Sequence, residues 1–491
     1  MKMSRLFKIF KTIIFCTIFV TVFNRYSAAQ NYLPLGDYSY KIFDRLEAEG
    51  VIKSGLLDSR PISIDDAIRL YNEAYLNSAQ SSRFIKDLVD NLGKRLDEYK
   101  EDINFIKPIK SLYTRFVYKD SDNPKVDYNN NGKSYKKGGN ITLGISSEAR
   151  YKRFSLYLNP ELHAYGSSKR VTLNEGYAVF NLAGADFSYG KMKRWWGPGR
   201  NGSLLLSDNP EALSSFGLSN PIPAILPGFL KYLGLFKATF FAGKLDSNRV
   251  VSKPYLWGLR LDFKPAPFLE IGIERTALLG GKGRSSNLKT WLKSFTGKGE
   301  NVSGVEAGDQ RAGGDIKITL PFKFQPVQLY LEADGEDQAG ILPSHWAFLS
   351  GLYLPRILGL ERISYRIEYA RTTEVWYIHH IYKTGYSYKG RIIGHFMGTD
   401  SSDLFNQISY LLPEYGGEVS LFFDKVTHDI HSHTKPHEKV DKIGFDTQFE
   451  TPFIAENSNI AAGYANTNIK NMVSKGNRKI NEFYFQFGYE F

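Results

Sequence analysis

The final nine residues, Phe483-Tyr484-Phe485-Gln486-Phe487-Gly488-Tyr489-Glu490-Phe491, place an aromatic at every odd position. Side chains alternate across a strand, so Phe483, Phe485, Phe487, Tyr489 and Phe491 share one face while Gln486, Gly488 and Glu490 share the other. In a soluble sheet, five aromatics on one face of an edge strand demand a large facing layer or invite aggregation. Lipid accepts them without a partner. The segment is therefore expected to close an outer-membrane β-barrel that is greasy outside and polar inside.

At the other end, Lys2, Arg5, Lys8 and Lys11 precede an apolar run from Ile13 to Phe23, followed by Ser27-Ala28-Ala29. This is the pattern of a secretory signal peptide over residues 1–29, with Gln30 as the expected first mature residue. The run is too short to span a bilayer comfortably. Cys16 lies inside that run behind Ile13-Ile14-Phe15, which lacks the small residues expected before a lipidated cysteine. Beyond it the chain has no cysteine, so no disulfide, cysteine nucleophile or thiolate metal site is expected. No later stretch reaches the length of a transmembrane helix, which excludes a helical membrane protein. The formal charge of +12 shrinks once the basic signal residues leave. A moderately basic chain of mixed signs favours anionic partners, such as acidic polysaccharide or lipopolysaccharide phosphate, over nucleic acid. The 31 tyrosines and 34 phenylalanines suit the aromatic girdles of a barrel.

Residues 30–110 read as helices. Ile42, Phe43 and Leu46 share a face; Ser63 with Asp66 opens a second helix in which Ala67, Leu70, Tyr71 and Ala74 recur at helical spacing. Phe84, Leu88, Leu92, Leu96 and Tyr99 form a third stripe, and Pro108 marks the end of a small bundle expected on the periplasmic side or as a lumen plug. From 111 to 491 the period becomes two. Phe154, Leu156 and Leu158 alternate with Ser155 and Tyr157, and Ile363, Tyr365, Ile367 and Tyr369 with Arg362, Ser364, Arg366 and Glu368. Leu269, Ile271 and Ile273 alternate with Glu270, Gly272 and Glu274; Tyr255, Trp257, Leu259, Leu261 and Phe263 form another lipid-facing row. The polar set Glu270, Glu274, Arg362, Arg366 and Glu368 is expected to face the lumen. The rhythm suggests an even strand number of about 16 to 18. Long connections at 120–138, 200–235, 280–312, 383–415 and 425–440 are expected outside the cell or folded into the lumen. Within one of them, Ile222-Pro223-Ala224-Ile225-Leu226-Pro227-Gly228-Phe229-Leu230 is too apolar for a free loop and is expected in the barrel mouth or lumen.

The densest unusual segment is Lys193-Arg194-Trp195-Trp196-Gly197-Pro198-Gly199-Arg200-Asn201-Gly202-Ser203-Leu204-Leu205-Leu206-Ser207-Asp208-Asn209, followed by Pro221-Ile222-Pro223-Ala224. This stretch resembles the signature of the Wzi-type capsule assembly outer-membrane proteins, and the layout of nearly the whole mature chain agrees. The resemblance implies a barrel of about 18 strands, occluded by its bundle and loops. It further implies a lectin-like, non-catalytic role in attaching or organising capsular polysaccharide at the cell surface. The long histidine-rich segment at 425–440 and the diverged loops depart from the pattern and bear on which glycan is recognised. Indole faces suit the apolar C–H faces of sugars, and arginines suit carboxylates, so Arg194, Trp195, Trp196, Arg200, Asn201 and Asp208 are the candidate polysaccharide contacts. The bland reading of the same residues is packing, with glycines permitting a tight turn.

Other patterns carry less. Gly197 to Gly202 has G-x-G-x-x-G spacing but no following helix, so it is not a dinucleotide loop, and Gly280-Gly281-Lys282-Gly283-Arg284-Ser285 lacks the P-loop spacing. His428, His431, His433 and His437 are the only metal-like cluster, more simply read as solvated side chains, so neither metal nor cofactor is expected. A lipid hydrolase would need a nucleophile opposite His163, the one plausible base on a strand near Ser residues, and sequence alone places none there; a structural or lumenal histidine is the simpler reading. Glu270 and Glu274 lie about 13 Å apart along one strand, too far for a glycosidase pair. The competing reading is a diffusion channel selecting charged solutes through its lumen. The remaining expected partners are outer-membrane lipid, lipopolysaccharide and the barrel-insertion machinery that reads the last strand.

Overall fold

A computed structural model describes residues 28–100, 104–123, 126–166, 168–296, 308–339, 342–433, 436–472 and 476–491. All but the last two residues of the expected signal peptide lie outside this set. The alternating segments form a closed antiparallel barrel of eighteen staves. One stave is interrupted: Ser214–Ser219 and Ala224–Ile225 both pair with Leu235–Lys244. The ring closes where Phe105–Lys119 pairs with Gly476–Glu490, with Leu112 opposite Tyr489 and Phe116 opposite Phe485. The aromatic row that would endanger an edge strand thus has no edge to expose. Phe154, Leu156 and Leu158 point outward, as do Phe483 and Phe485, while Ser155, Tyr157 and Asn159 are buried inside. A closed ring that pairs its backbone internally and carries an apolar outer belt belongs in the outer membrane.

The first stave begins at Phe105, ahead of the expected start, and Pro108 sits in a register shift between Lys107 and Ser111. A proline cannot donate to the ladder, so a residue read as ending the bundle marks an irregularity in a strand.

Helices α1 (Ser39–Ala48), α2 (Ile64–Asn77) and α3 (Arg83–Leu96) precede the barrel. The Ser63 hydroxyl accepts from the Asp66 amide at 3.2 Å and starts α2; Ser82 accepts from Ile85 and starts α3. Phe43, Leu46, Ile64, Leu70, Leu88 and Leu92 share one core, so the bundle has a hydrophobic centre of its own. It plugs the end of the barrel where turns such as Lys152-Arg153 and Ala183-Gly184 are shortest, which is the periplasmic end. Arg45 donates there to the Glu361 carbonyl, and Arg95 pairs with Glu450 at 2.7 Å. Arg362, expected in the lumen, lies on this rim and pairs with Glu414 at 2.9 Å because it precedes the stave that starts at Ile363.

Two further expectations are corrected. The Ile222–Leu230 segment does not enter the lumen: it breaks the wall at the periplasmic end, with Ile225 and Phe229 exposed, Leu226 packed on Phe236, and Ala224 and Leu230 partly buried beside them. Its apolar character serves the membrane boundary. Trp257 faces outward but is 1% exposed, because the 280–308 connection carries helix α4 (Leu288–Phe295) on the outside of the wall. Trp257 donates to the Ser294 hydroxyl at 2.9 Å and packs on Phe295 at 4.5 Å, while Leu288 and Leu292 remain exposed.

Candidate functional site

Residues 192–213 leave the wall and cross the lumen as a strap. Trp195 and Trp196 pair with Arg60 and Ser59 of the plug in a two-residue ladder, and Gly197 donates to the Asp58 carbonyl at 2.8 Å. Trp196 is fully buried and packs edge-on against Phe241; Trp195 donates its indole N–H to the Gly199 carbonyl at 2.9 Å. Arg194 is buried on the Phe241 ring and donates to the Ser215 hydroxyl at 3.0 Å.

Arg200 reaches down into the plug and forms a bidentate pair with Asp44 at 2.8 and 3.0 Å, which Arg60 joins at 2.7 Å. Burial alone would raise the Asp44 carboxyl, but the Arg200 and Arg60 guanidinium groups outweigh it and hold the group well below the usual range. The backbone amides of Arg200 and Asn201 both donate to the Glu368 carboxylate at 2.8 Å, and the Asn201 amide side chain reaches Asp403 at 3.0 Å. Of the expected lumen groups, Glu270, Glu274, Arg366 and Glu368 are buried inside the barrel.

The strap is held from above by the 372–400 connection. Tyr377 and Tyr386 donate their hydroxyls to the Leu204 and Leu205 carbonyls at 2.5 and 2.9 Å. His395 stands against Gly202, where a Cβ would come within 2.1 Å of its ring. Burial pulls the His395 imidazole down to about 3. The unfolded chain then binds the extra proton below the ordinary value of 6.5, so stability falls as pH drops from there towards about 3 and is unaffected above. Thermal midpoints across that window should decline for the native protein and decline less for His395→Gln. Equal slopes would refute this.

At the outer end of the strap, Asn131 and Gly132 donate to the carbonyls of Asp208 and Asn209 at 2.7 and 3.0 Å. Asp208 is thus engaged through its backbone. These bonds fix the 131–134 loop over an open polar cleft of ≈ 320 Å³ lined by Lys133, Glu161, His163, Tyr165, Arg170, Lys191, Glu211 and Lys389, among others. Glu161 takes Lys133 at 2.7 Å and Glu211 takes Lys389 at 2.6 Å. Arg170 is exposed and has no carboxylate partner among the described residues. His163 bridges Thr142 and Thr172 at 3.1 and 2.8 Å. Four cations against two carboxylates leave the cleft positive.

The four histidines do not converge: His428 meets the Ser401 hydroxyl, His437 the Asp429 carbonyl, and His433 is exposed. His431 instead stands with Asp400 and Glu374, two residues from a different connection.

The sequence pattern described as capsule assembly protein Wzi matches residues 119–482. The chain belongs to the Wzi capsule assembly family. A Klebsiella pneumoniae protein, described as an uncharacterized 55.8 kDa protein in the cps region, is 31% identical over 204 residues. That match covers 41% of this chain and 40% of the relative, so it spans less than half of either. The solved structure of Wzi from Escherichia coli is described as a carbohydrate-binding β-barrel of the outer membrane involved in group 1 capsule assembly. It matches with a TM-score of 0.74 at 19% identity, over 95% of this chain and 100% of that one, a likeness of fold. The Trp-Trp-Gly-Pro-Gly stretch, Trp195 to Gly199, is the turn of the strap. Of the cleft residues the sequence singled out only His163, as a possible base; the basic pair Lys169-Arg170 beside a short turn was a further signal.

Proposed function

We propose that this chain is a non-catalytic binder of an acidic surface polysaccharide, which it helps to attach or organise at the outer end of a plugged barrel. The observation that carries the reading is the positive, open cleft on the cell-exterior side, with Arg170 free to meet a carboxylate and Tyr165 beside it to meet a sugar face. In this reading Arg194, Trp195, Trp196, Arg200, Asn201 and Asp208 serve the glycan from beneath: they brace the strap, and the strap sets the 131–134 loop. Membership in a capsule assembly family and the filled lumen both favour a capsule binder over a diffusion channel. Outer-membrane lipid and lipopolysaccharide surround the apolar belt, and the last strand is the element offered to the insertion machinery.

The test pairs a deletion strain with binding of the purified polysaccharide. Loss of the protein is expected to shed polysaccharide into the medium. Arg170→Glu is expected to weaken glycan binding about tenfold, roughly 1.4 kcal/mol, and to reduce its salt dependence. Polysaccharide that stays attached to the deletion strain, together with no binding by the purified protein, would defeat the proposal.

A further inference from the structure

Inside the barrel, beside the strap, lies a group of carboxylates that the proposed glycan role does not use. Two rows cross the wall. Arg260, Glu274, Gly313 and Asp334 stand opposite one another on four successive staves, and Asp262, Gly272, Asp315 and Glu332 form the row next to it. All five acids and the arginine are buried, with Asp262, Glu332, Asp334 and Arg260 fully so.

Arg260 is committed to three of these carboxylates, through its Nε and one of its two terminal nitrogens. It binds Asp262 at 2.7 Å, Glu274 at 2.6 Å and Asp315 at 2.7 Å. Glu332 and Asp334 receive no cation among the described residues. Glu332 accepts the Leu204 amide with one oxygen, at 2.7 Å, and its other oxygen has no donor. Asp334 is 0% exposed and neither of its oxygens meets a donor. One oxygen each from Glu274, Glu332 and Asp334 lie within 4.8 Å of one another.

The surrounding backbone is cut away to let these groups meet. A Cβ on Gly313 would come within 2.3 Å of an Asp334 oxygen, and one on Gly197, in the strap, within 2.6 Å of the free Glu332 oxygen. An ionised carboxylate without a partner in a dry interior is among the costliest arrangements a protein can hold. Glu332 and Asp334 are in that position, and a positive charge where their oxygens meet that of Glu274 would relieve both.

We propose that Glu274, Glu332 and Asp334 bind a hard divalent cation, Ca²⁺ in particular. Calcium accepts carboxylate oxygens at about 2.3 to 2.6 Å, so oxygens sharing one ion stand no more than about 5 Å apart, and these three lie within 4.8 Å of one another. Magnesium gives up its water reluctantly and suits an all-carboxylate pocket less well, and the absence of sulfur and nitrogen ligands disfavours the softer metals. The ion locks Leu269–Leu279 to Val327–Ala339 across the intervening stave. Through Glu332 and the Leu204 amide it also fixes the strap that shapes the cleft.

The experiment uses the full mature protein in detergent. Wild type, Asp334→Asn and Glu332→Gln are purified in parallel, dialysed against metal-free buffer and analysed for bound calcium by mass spectrometry. The difference between wild type and variants removes ions held by copurified lipopolysaccharide. Wild type is expected to retain one more ion per chain than either variant, to lose several degrees of thermal midpoint in EGTA, and to regain them with CaCl₂. The variants are expected to ignore both additions. Equal calcium in all three proteins overturns the proposal. So does a wild-type midpoint indifferent to EGTA and to millimolar CaCl₂, which would mean that protons neutralise the cluster; that arm decides even if the variants fail to fold.

Discussion

Replacing Lys317 with methionine is expected to unseat the plug and turn a closed barrel into a conducting one. The Lys317 ammonium lies 2.8 Å from Asp58, 2.9 Å from Glu47 and 2.9 Å from Glu270, and is 1% exposed. Glu47 and Asp58 belong to the plug, and Lys317 and Glu270 to the wall, so this cation joins the two bodies where the most carboxylates meet, while the ties at the rim, such as Arg95 with Glu450, hold single groups. Lys264 also holds Glu47, at 2.6 Å, but is 3.7 Å from Glu270 and cannot replace what Lys317 does for Asp58. Removing one partner of a buried ionic group costs about 3 to 5 kcal/mol. The plug has its own core and the barrel its own ladder, so the weakest link is the joint between them. Planar-bilayer recordings should find no steady current through wild type and a large one through Lys317→Met, with the barrel's resistance to denaturation in detergent retained. Lys317→Arg should stay closed. A Lys317→Met protein as silent and as stable as wild type would show that the ionic joint does not hold the plug.

The strand period made much of this architecture readable. Alternation such as Leu269-Glu270-Ile271 specifies which side chains face lipid and which face inward, because a one-residue slip would put glutamate in the bilayer. The helical spacing of Phe84, Leu88, Leu92 and Leu96 likewise identified the bundle, whose burial confirms that stripe. Periodicity is silent about what covers a face. Trp257 obeys the outward pattern, yet α4, packed on it, comes from a connection that reads as a plain loop. Ile222–Leu230 was apolar enough for a core and became part of the membrane boundary instead.

Connections were harder for a related reason: whether a loop turns outward or into the lumen depends on partners far away in the chain. The bonds that settle it, such as Arg200 with Asp44 or Tyr377 with Leu204, join residues with no local pattern between them. The Trp-Trp-Gly-Pro-Gly stretch was visible as unusual, and its family resemblance was legible, but its tryptophans are buried among plug and wall. The cleft is assembled from six separate segments, and no spacing rule could have collected Lys133, Arg170 and Lys389.

The glycines of the strap give the second large effect. Gly197→Ala is expected to destabilise the protein by several kcal/mol and to release surface polysaccharide as deletion does. Gly197 has φ +104°, where a side chain costs about 1 to 3 kcal/mol in backbone strain. Its new Cβ would also lie 2.6 Å from one Glu332 oxygen and 2.9 Å from the carboxyl carbon. Glu332 cannot simply swing aside, because its other oxygen accepts the buried Leu204 amide; abandoning that amide costs a further 1 to 3 kcal/mol or so. Strain and desolvation act on the same few residues, so relief of one worsens the other. Gly36→Ala is the control: its Cβ meets nothing within 4 Å and its φ is ordinary, so its denaturation midpoint should match wild type. If Gly197→Ala also matches wild type in midpoint and in polysaccharide retention, the strap is not held as tightly as its contacts require, and its part in shaping the cleft falls with it.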